Sequence, residues 1–122
     1  MNFTLTEEQQ LIQDTAKRFA ENELAPVAQT LDETKDKSIL LANCHKLAEL
    51  GFMGLNIDGE YGGTEAGTIA FSVAMTEIAR GCASTAVTMS VTNMVAEVIQ
   101  AVGSEQQKAH YLPLICSGEY KA

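Results

Sequence analysis

Between Ala66 and Ala96 the chain carries only two charged side chains, Glu77 and Arg80. A charge left unpaired in an apolar interior is costly, so a stretch this poor in charge is expected inside the fold. It is also rich in hydroxyls, at Thr68, Ser72, Thr76, Ser84, Thr85, Thr88, Ser90 and Thr92. Hydroxyls in buried helices bond back to the carbonyl one turn earlier, and small side chains let helices approach closely. The run therefore suggests two inner helices, with room between them for something partly polar.

The local pattern agrees on helices, with one conflict. Thr68 to Arg80 is apolar nearly all round, which predicts a central helix. After it, Val87, Met89 and Val91 alternate with Thr88, Ser90 and Thr92, which read alone suggests a strand. Over a longer window Val87, Val91, Val95, Val98 and Val102 are spaced four, four, three and four, a stripe that only a helix lines up. The longer pattern predicts a helix capped by Ser84 and stopped by Gly103.

Flanking segments add three more helices. Thr6-Glu7-Glu8-Gln9 and Ser104-Glu105-Gln106-Gln107 both have the form of a capping box. The first opens a helix whose apolar stripe is Ile12, Ala16, Phe19, Ala20, Leu24, Val27 and Leu31; the second opens one reaching about Cys116. Pro26 lies inside the first stripe and removes a bond to the carbonyl of Asn22, so a kink or short break is expected there. Asp32 to Lys37 reads as a surface turn or fraying end. Ser38 is the expected cap of a second helix that buries Leu40, Cys44, Leu47 and Ala48 and ends at Gly51. Between Gly51 and Gly67 six of seventeen residues are glycine, which marks a sharply turning loop. Its Phe52, Met53, Leu55 and Ile57 require cover from the helices. The expectation is a single all-α domain over residues 1–122, a five- to six-helix bundle without a substantial sheet.

Charge and composition narrow the partners. Sixteen acids against eight bases leave a formal charge of −8, which repels nucleic-acid backbones and anionic membranes. A membrane span needs about 20 apolar residues, and the charge-free run from Gly81 to Ala96 is shorter and too hydroxylated. Three widely spaced cysteines, Cys44, Cys82 and Cys116, read as reduced thiols, which predicts a cytoplasmic protein.

No catalytic or metal signature stands out. His45 and His110 lack a partner at ligand spacing, so no metal site is predicted. Cys82 reads as a small buried residue. Glu77 is the lone acid in its apolar span; Arg80, three residues on, makes an ion pair the expected role. On these grounds alone the chain is a helical bundle with a cavity and no named reaction.

Four segments then carry a resemblance. LTEEQQLIQDTAKRFAENELAPVA, KLAELGFMGLNIDGEYGG, EIARGCASTAVTMSVTN and GSEQQKAHYLPLICSGE are similar, in order and spacing, to successive blocks of the acyl-CoA dehydrogenase family. They span essentially the whole chain. One departure is Asp58-Gly59, where the family usually has a Pro-Glu-like pair before Tyr-Gly-Gly. The resemblance implies the N-terminal helical domain of an FAD-dependent enzyme that desaturates an acyl-CoA thioester. It implies that the family's β-barrel and C-terminal helical domains lie outside these 122 residues. With them go most of the flavin site and the catalytic glutamate, so no catalytic residue is assigned here and none to the flavin. The chain alone is expected to be inactive and to bind no FAD. Alignment on CASTAVTMSVTN puts Val87, Thr88, Val91 and Val95 at positions that line the acyl pocket in the family. The valines favour a plain aliphatic or alicyclic acyl group. For the full-length enzyme the implied partners are an acyl-CoA substrate, electron-transfer flavoprotein or a similar acceptor, and further copies in a homo-oligomer. Two other readings stay open: a domain of an acyl-CoA oxidase or related flavin monooxygenase, and a stand-alone helical interaction module.

Overall fold

Two capping boxes set where the first and last helices begin. Thr6 accepts from the Gln9 amide at 3.2 Å while the Gln9 side chain accepts from the Thr6 amide at 3.0 Å. Ser104 and Gln107 repeat the arrangement at 3.2 and 2.9 Å. Each box satisfies orphan donors at a helix start. The computed structural model describes residues 3–119. Its helices are α1 (Glu7–Phe19), α2 (Ala25–Thr34), α3 (Lys37–Glu49), α4 (Thr68–Gly81), α5 (Ala83–Val102) and α6 (Glu105–Cys116). A π turn, Ala20–Leu24, joins α1 to α2 without interruption, so the chain makes five rods. There is no strand among the described residues, and the all-α bundle expected from the stripes is what forms.

The break expected near Pro26 takes the form of that π turn. Pro26 lies in the first turn of α2, where its missing N–H removes a bond the chain would otherwise make backward. The preceding residues widen by one, and the helix continues. The stripe survives the change: Ala16, Ala20, Leu24 and Leu31 are buried, and Ile12 and Phe19 pack against them. In α3, Cys44, Leu47 and Ala48 are buried as expected.

Two caps differ from expectation. Asp36, not Ser38, caps α3: its Oδ1 accepts from the Ser38 amide at 2.9 Å and from the Ser38 hydroxyl at 2.6 Å. A carboxylate able to take both donors is the better cap. These bonds also hold the Asp36 carboxyl below its ordinary value. Ser84 lies inside the first turn of α5, which starts from an extended Cys82 without a side-chain cap bond.

The loop between α3 and α4 lies against the bundle, with Phe52, Met53, Leu55 and Ile57 all buried. Two short 3₁₀ turns, Phe52–Gly54 and Gly59–Tyr61, fold it. At Gly63 a Cβ would sit 1.9 Å from the carbonyl oxygen of Ile57, a backbone approach that excludes every other residue. Gly81 performs the same service where the end of α4 crosses Ala20, whose Cβ and carbonyl would both lie 2.9 Å from an added Cβ.

The charge-poor run turns out to be buried on one side only. α4 packs against α1, α5, α2 and the π turn, burying Ala70, Ala74, Glu77 and Ile78, yet Ile69 is 57% exposed. α5 buries Thr85, Ala86, Met89, Thr92, Asn93 and Ala96. Its valine stripe faces outward, with Val87 at 61% and Val102 at 79% exposure. The stripe diagnosed a helix correctly, but the face packed in this bundle is the one carrying threonine and asparagine.

Candidate functional site

α5 is a helix of 20 residues with two chemically different sides. The inner side is joined to its neighbours by polar groups. Near its start, the Asn43 amide on α3 donates to Thr85 Oγ1 at 3.2 Å, and Thr85 donates to Cys82 Sγ at 3.2 Å. Midway, Asn93 Nδ2 donates to the carbonyls of Phe52 at 2.8 Å and Met89 at 2.9 Å. Its Oδ1 accepts from the Leu55 amide at 2.9 Å. Further along, Gln100 accepts from the Asp58 amide at 2.8 Å and donates to the Asn56 carbonyl at 3.3 Å. Asn56 also donates to Glu97 at 3.2 Å. Asn93, Glu97 and Gln100 are spaced four and three, so one helix face holds the loop, Asn93 and Gln100 by its backbone and Glu97 by the Asn56 side chain.

These bonds correct the expectation of a semi-polar space between α4 and α5. Thr85 and Thr92 are buried, and among the described residues no buried side-chain polar atom lacks a partner. Thr76 and Thr88 bond back to the carbonyls of Ser72 and Ser84 at 2.9 and 3.1 Å. Of the eight hydroxyl residues of the run, Thr85 and Thr92 are buried, Thr88 and Ser90 half-buried and the other four exposed, so most of them face outward and not into a space between the helices.

The outer side of α5 is aliphatic. Val87, Met94, Val98 and Val102 are exposed, and Val91 and Val95 are half-buried. Of the four residues matched to the pocket, Val87, Val91 and Val95 follow one helical edge, with Thr88 half-buried at its border. The helix brings all four together on a single surface about two and a half turns long.

Glu77 has the structural partner expected of it. Its carboxylate is buried and lies 3.4 Å from Arg80 Nη1, at a cleft of about 80 Å³ bordered by Lys17, Glu21 and Gly81. The histidines are exposed: His45 lies 3.4 Å from Glu49, and His110 meets the Tyr111 ring edge-on at 4.7 Å. None of the three cysteines is in a disulfide, all are buried, and burial raises the Cys116 thiol above its ordinary value. Among the described residues no helix is long and apolar enough to cross a membrane.

A five-rod bundle with this loop, and with α5 presenting an aliphatic side, has close counterparts. Residues 6–119 match the family model described as acyl-CoA dehydrogenase, N-terminal domain. The chain belongs to the acyl-CoA dehydrogenase family. The short-chain specific acyl-CoA dehydrogenase of Clostridium acetobutylicum is 36% identical over 120 residues, which cover 98% of this chain and 31% of that protein. A solved structure described as the electron transferring flavoprotein of Acidaminococcus fermentans superposes with a TM-score of 0.89 at 34% identity, covering 99% of this chain and 32% of that one. An acyl-CoA dehydrogenase from Bacillus anthracis, solved complexed with FAD, gives 0.87 at 26% identity over 96% of this chain and 20% of that one. The chain thus spans about three-tenths of the length of curated relatives it matches.

The resemblance of the sequence blocks located the outer edge of α5. The ladder of Asn93, Glu97 and Gln100 that meets the loop was not among the expected features. Its signal was present, as two amides and a carboxylate set on one face of a helix otherwise made of small and aliphatic residues.

Proposed function

We propose that this domain forms one wall of the acyl-binding pocket in a flavin-dependent acyl-CoA dehydrogenase that desaturates the α,β bond of a thioester. One observation carries the reading: α5 is sealed on its inner side by fully partnered polar groups, yet leaves a continuous aliphatic edge at Val87, Val91 and Val95. An alkyl chain against such an edge is removed from water at about 25 cal/mol per Å² of apolar area. Thr88 spends its proton on the Ser84 carbonyl, so the edge offers methyl groups in place of a polar grip. A plain aliphatic or alicyclic acyl group fits it better than a dicarboxylic one, whose far carboxylate would have no partner there.

The edge fits an alkyl chain and not the polar rim of an isoalloxazine, so none of its residues is assigned to the flavin. FAD bound elsewhere in the protein would accept the hydride equivalent, and the base that takes the α-proton also lies outside these residues. What α5 contributes is orientation: a chain held along the valines fixes where its thioester end can reach. The 122 residues alone are then inactive and hold no FAD. Electron-transfer flavoprotein or a similar acceptor would reoxidise the enzyme. The protein is further proposed to be cytoplasmic and to assemble as a homo-oligomer.

The test is an anaerobic titration of the protein expressed from its full reading frame with straight-chain acyl-CoA thioesters. The reading predicts a yellow protein whose visible flavin band bleaches on addition of thioester. A colourless protein, or a flavin left unbleached by every chain length, overturns it.

A further inference from the structure

Asn93 is the most heavily engaged side chain of α5, and acyl binding as described does not use it. It is 1% exposed and makes three hydrogen bonds of 2.8–2.9 Å, two of them to the loop and one within its own helix. Successive residues advance about 100° around a helix, so Asn93 and Val91 stand about 160° apart, on nearly opposite sides of α5. The side chain that sets the distance between the helix and the loop therefore also sets how far Val91 stands out from the bundle.

The spacing along the helix strengthens the point. α5 is held from inside at Thr85 by α3 and at Gln100 by the far part of the loop. Asn93 falls midway between those two anchors. A helix fixed near both ends and released at the middle bows toward its open side, because a group inserted beneath it displaces the axis there most. Val91 and Val95 flank that midpoint. Loss of Asn93 would leave the buried Leu55 amide and Phe52 carbonyl without partners, and such groups recruit water or shift until they find one.

We propose that Asn93 is a positioning residue for the acyl wall: by joining α5 to the loop at Phe52 and Leu55, it sets the projection of Val91 and thereby the depth of the pocket. This rests on the acyl-wall reading above. The Asn93→Gln variant keeps the amide and adds one methylene, which pushes α5 outward and shortens the space for the acyl chain.

The experiment compares kcat/KM for the longest and shortest accepted straight-chain acyl-CoA thioesters in the full-length enzyme. The variants are N93Q and Leu24→Val, the latter a destabilising change in the π turn, whose main contacts are with α1, α2 and α4. N93Q is expected to lower the long-to-short ratio about tenfold, the low end of the range that a methylene-sized misfit commands. Leu24→Val should lower Tm and leave the ratio unchanged. An N93Q ratio equal to that of the parent, with Tm reduced, makes Asn93 purely structural and overturns the proposal. If N93Q does not fold, Asn93→Asp is read the same way, since it keeps the acceptor for Leu55 and loses both donors. A parent enzyme that oxidises no thioester refutes the acyl-wall reading separately. The crystal structure of N93Q then still decides the positioning claim, which requires Val91 displaced outward relative to α1 and α4; an unmoved Val91 refutes it.

Discussion

Thr85→Val is a near-isosteric change that asks whether the hydroxyls of the charge-poor run hold helices together or face a space. Thr85 is fully buried, and its oxygen accepts from the Asn43 amide at 3.2 Å. Valine fills the same volume but leaves that amide proton, itself in a buried residue, without its acceptor. Stranding a buried donor costs about 1–3 kcal/mol, whereas removing both partners with apolar residues of similar shape is close to neutral. For a chain of 122 residues, a change of 1 kcal/mol moves Tm by about 3–5 °C. Thr85→Val should therefore lower Tm by about 6–10 °C, taking the middle of the range. The assay is thermal unfolding followed by circular dichroism on Thr85→Val, Asn43→Leu and the double variant. The double variant should be less destabilised than the sum of the singles by about 1 kcal/mol, because the residues share one bond. Strict additivity, or a Thr85→Val chain as stable as the parent, would refute the hydrogen-bonded packing of α5 on α3.

Other outcomes follow from local geometry. Gly63→Ala places a Cβ 1.9 Å from the Ile57 carbonyl oxygen, where only backbone can give way, so it should destabilise the chain by about 1–3 kcal/mol in urea unfolding. Asp36 has a folded-state pKa below its unfolded value, so its cap stabilises fully above the unfolded pKa and is lost as pH falls through the folded one. The Tm difference between parent and Asp36→Asn should accordingly be largest near neutral pH and shrink below the ordinary carboxylate range; a difference independent of pH contradicts the cap.

Much of the fold was legible because its signals are local. The capping boxes at Thr6 and Ser104 name their own donors and acceptors, and the stripe through Ala16, Ala20 and Leu24 holds across the π turn. α5 was legible as a helix for a different reason: spacing over five valines outweighs the strand-like alternation of three. Which side of it packs inward was not legible. Asparagine wins the inner side because the loop arrives with backbone amides and carbonyls that need partners, and Thr85 because the Asn43 amide of α3 needs an acceptor; valine has neither to give. An aliphatic side left open in this domain looks, in the sequence, the same as a core. The starts of α3 and α5 fall two residues before the expected caps: Asp36 and Ser38 are both competent and geometry chooses between them, while Cys82 begins α5 without a side-chain cap bond. The candidate acyl edge was reached through family resemblance; without it, composition and spacing end at a helical bundle.

Val91→Phe in the full-length enzyme tests the central claim most directly. Val91 stands at the middle of the aliphatic edge, half-buried, where a phenyl ring would project into the space assigned to the acyl chain. If α5 is the wall, the variant keeps its flavin and its activity on the shortest acyl-CoA while kcat/KM for longer chains falls by about tenfold or more. A chain-length profile identical to that of the parent removes Val91 from the pocket and, with it, the role proposed for this face of α5.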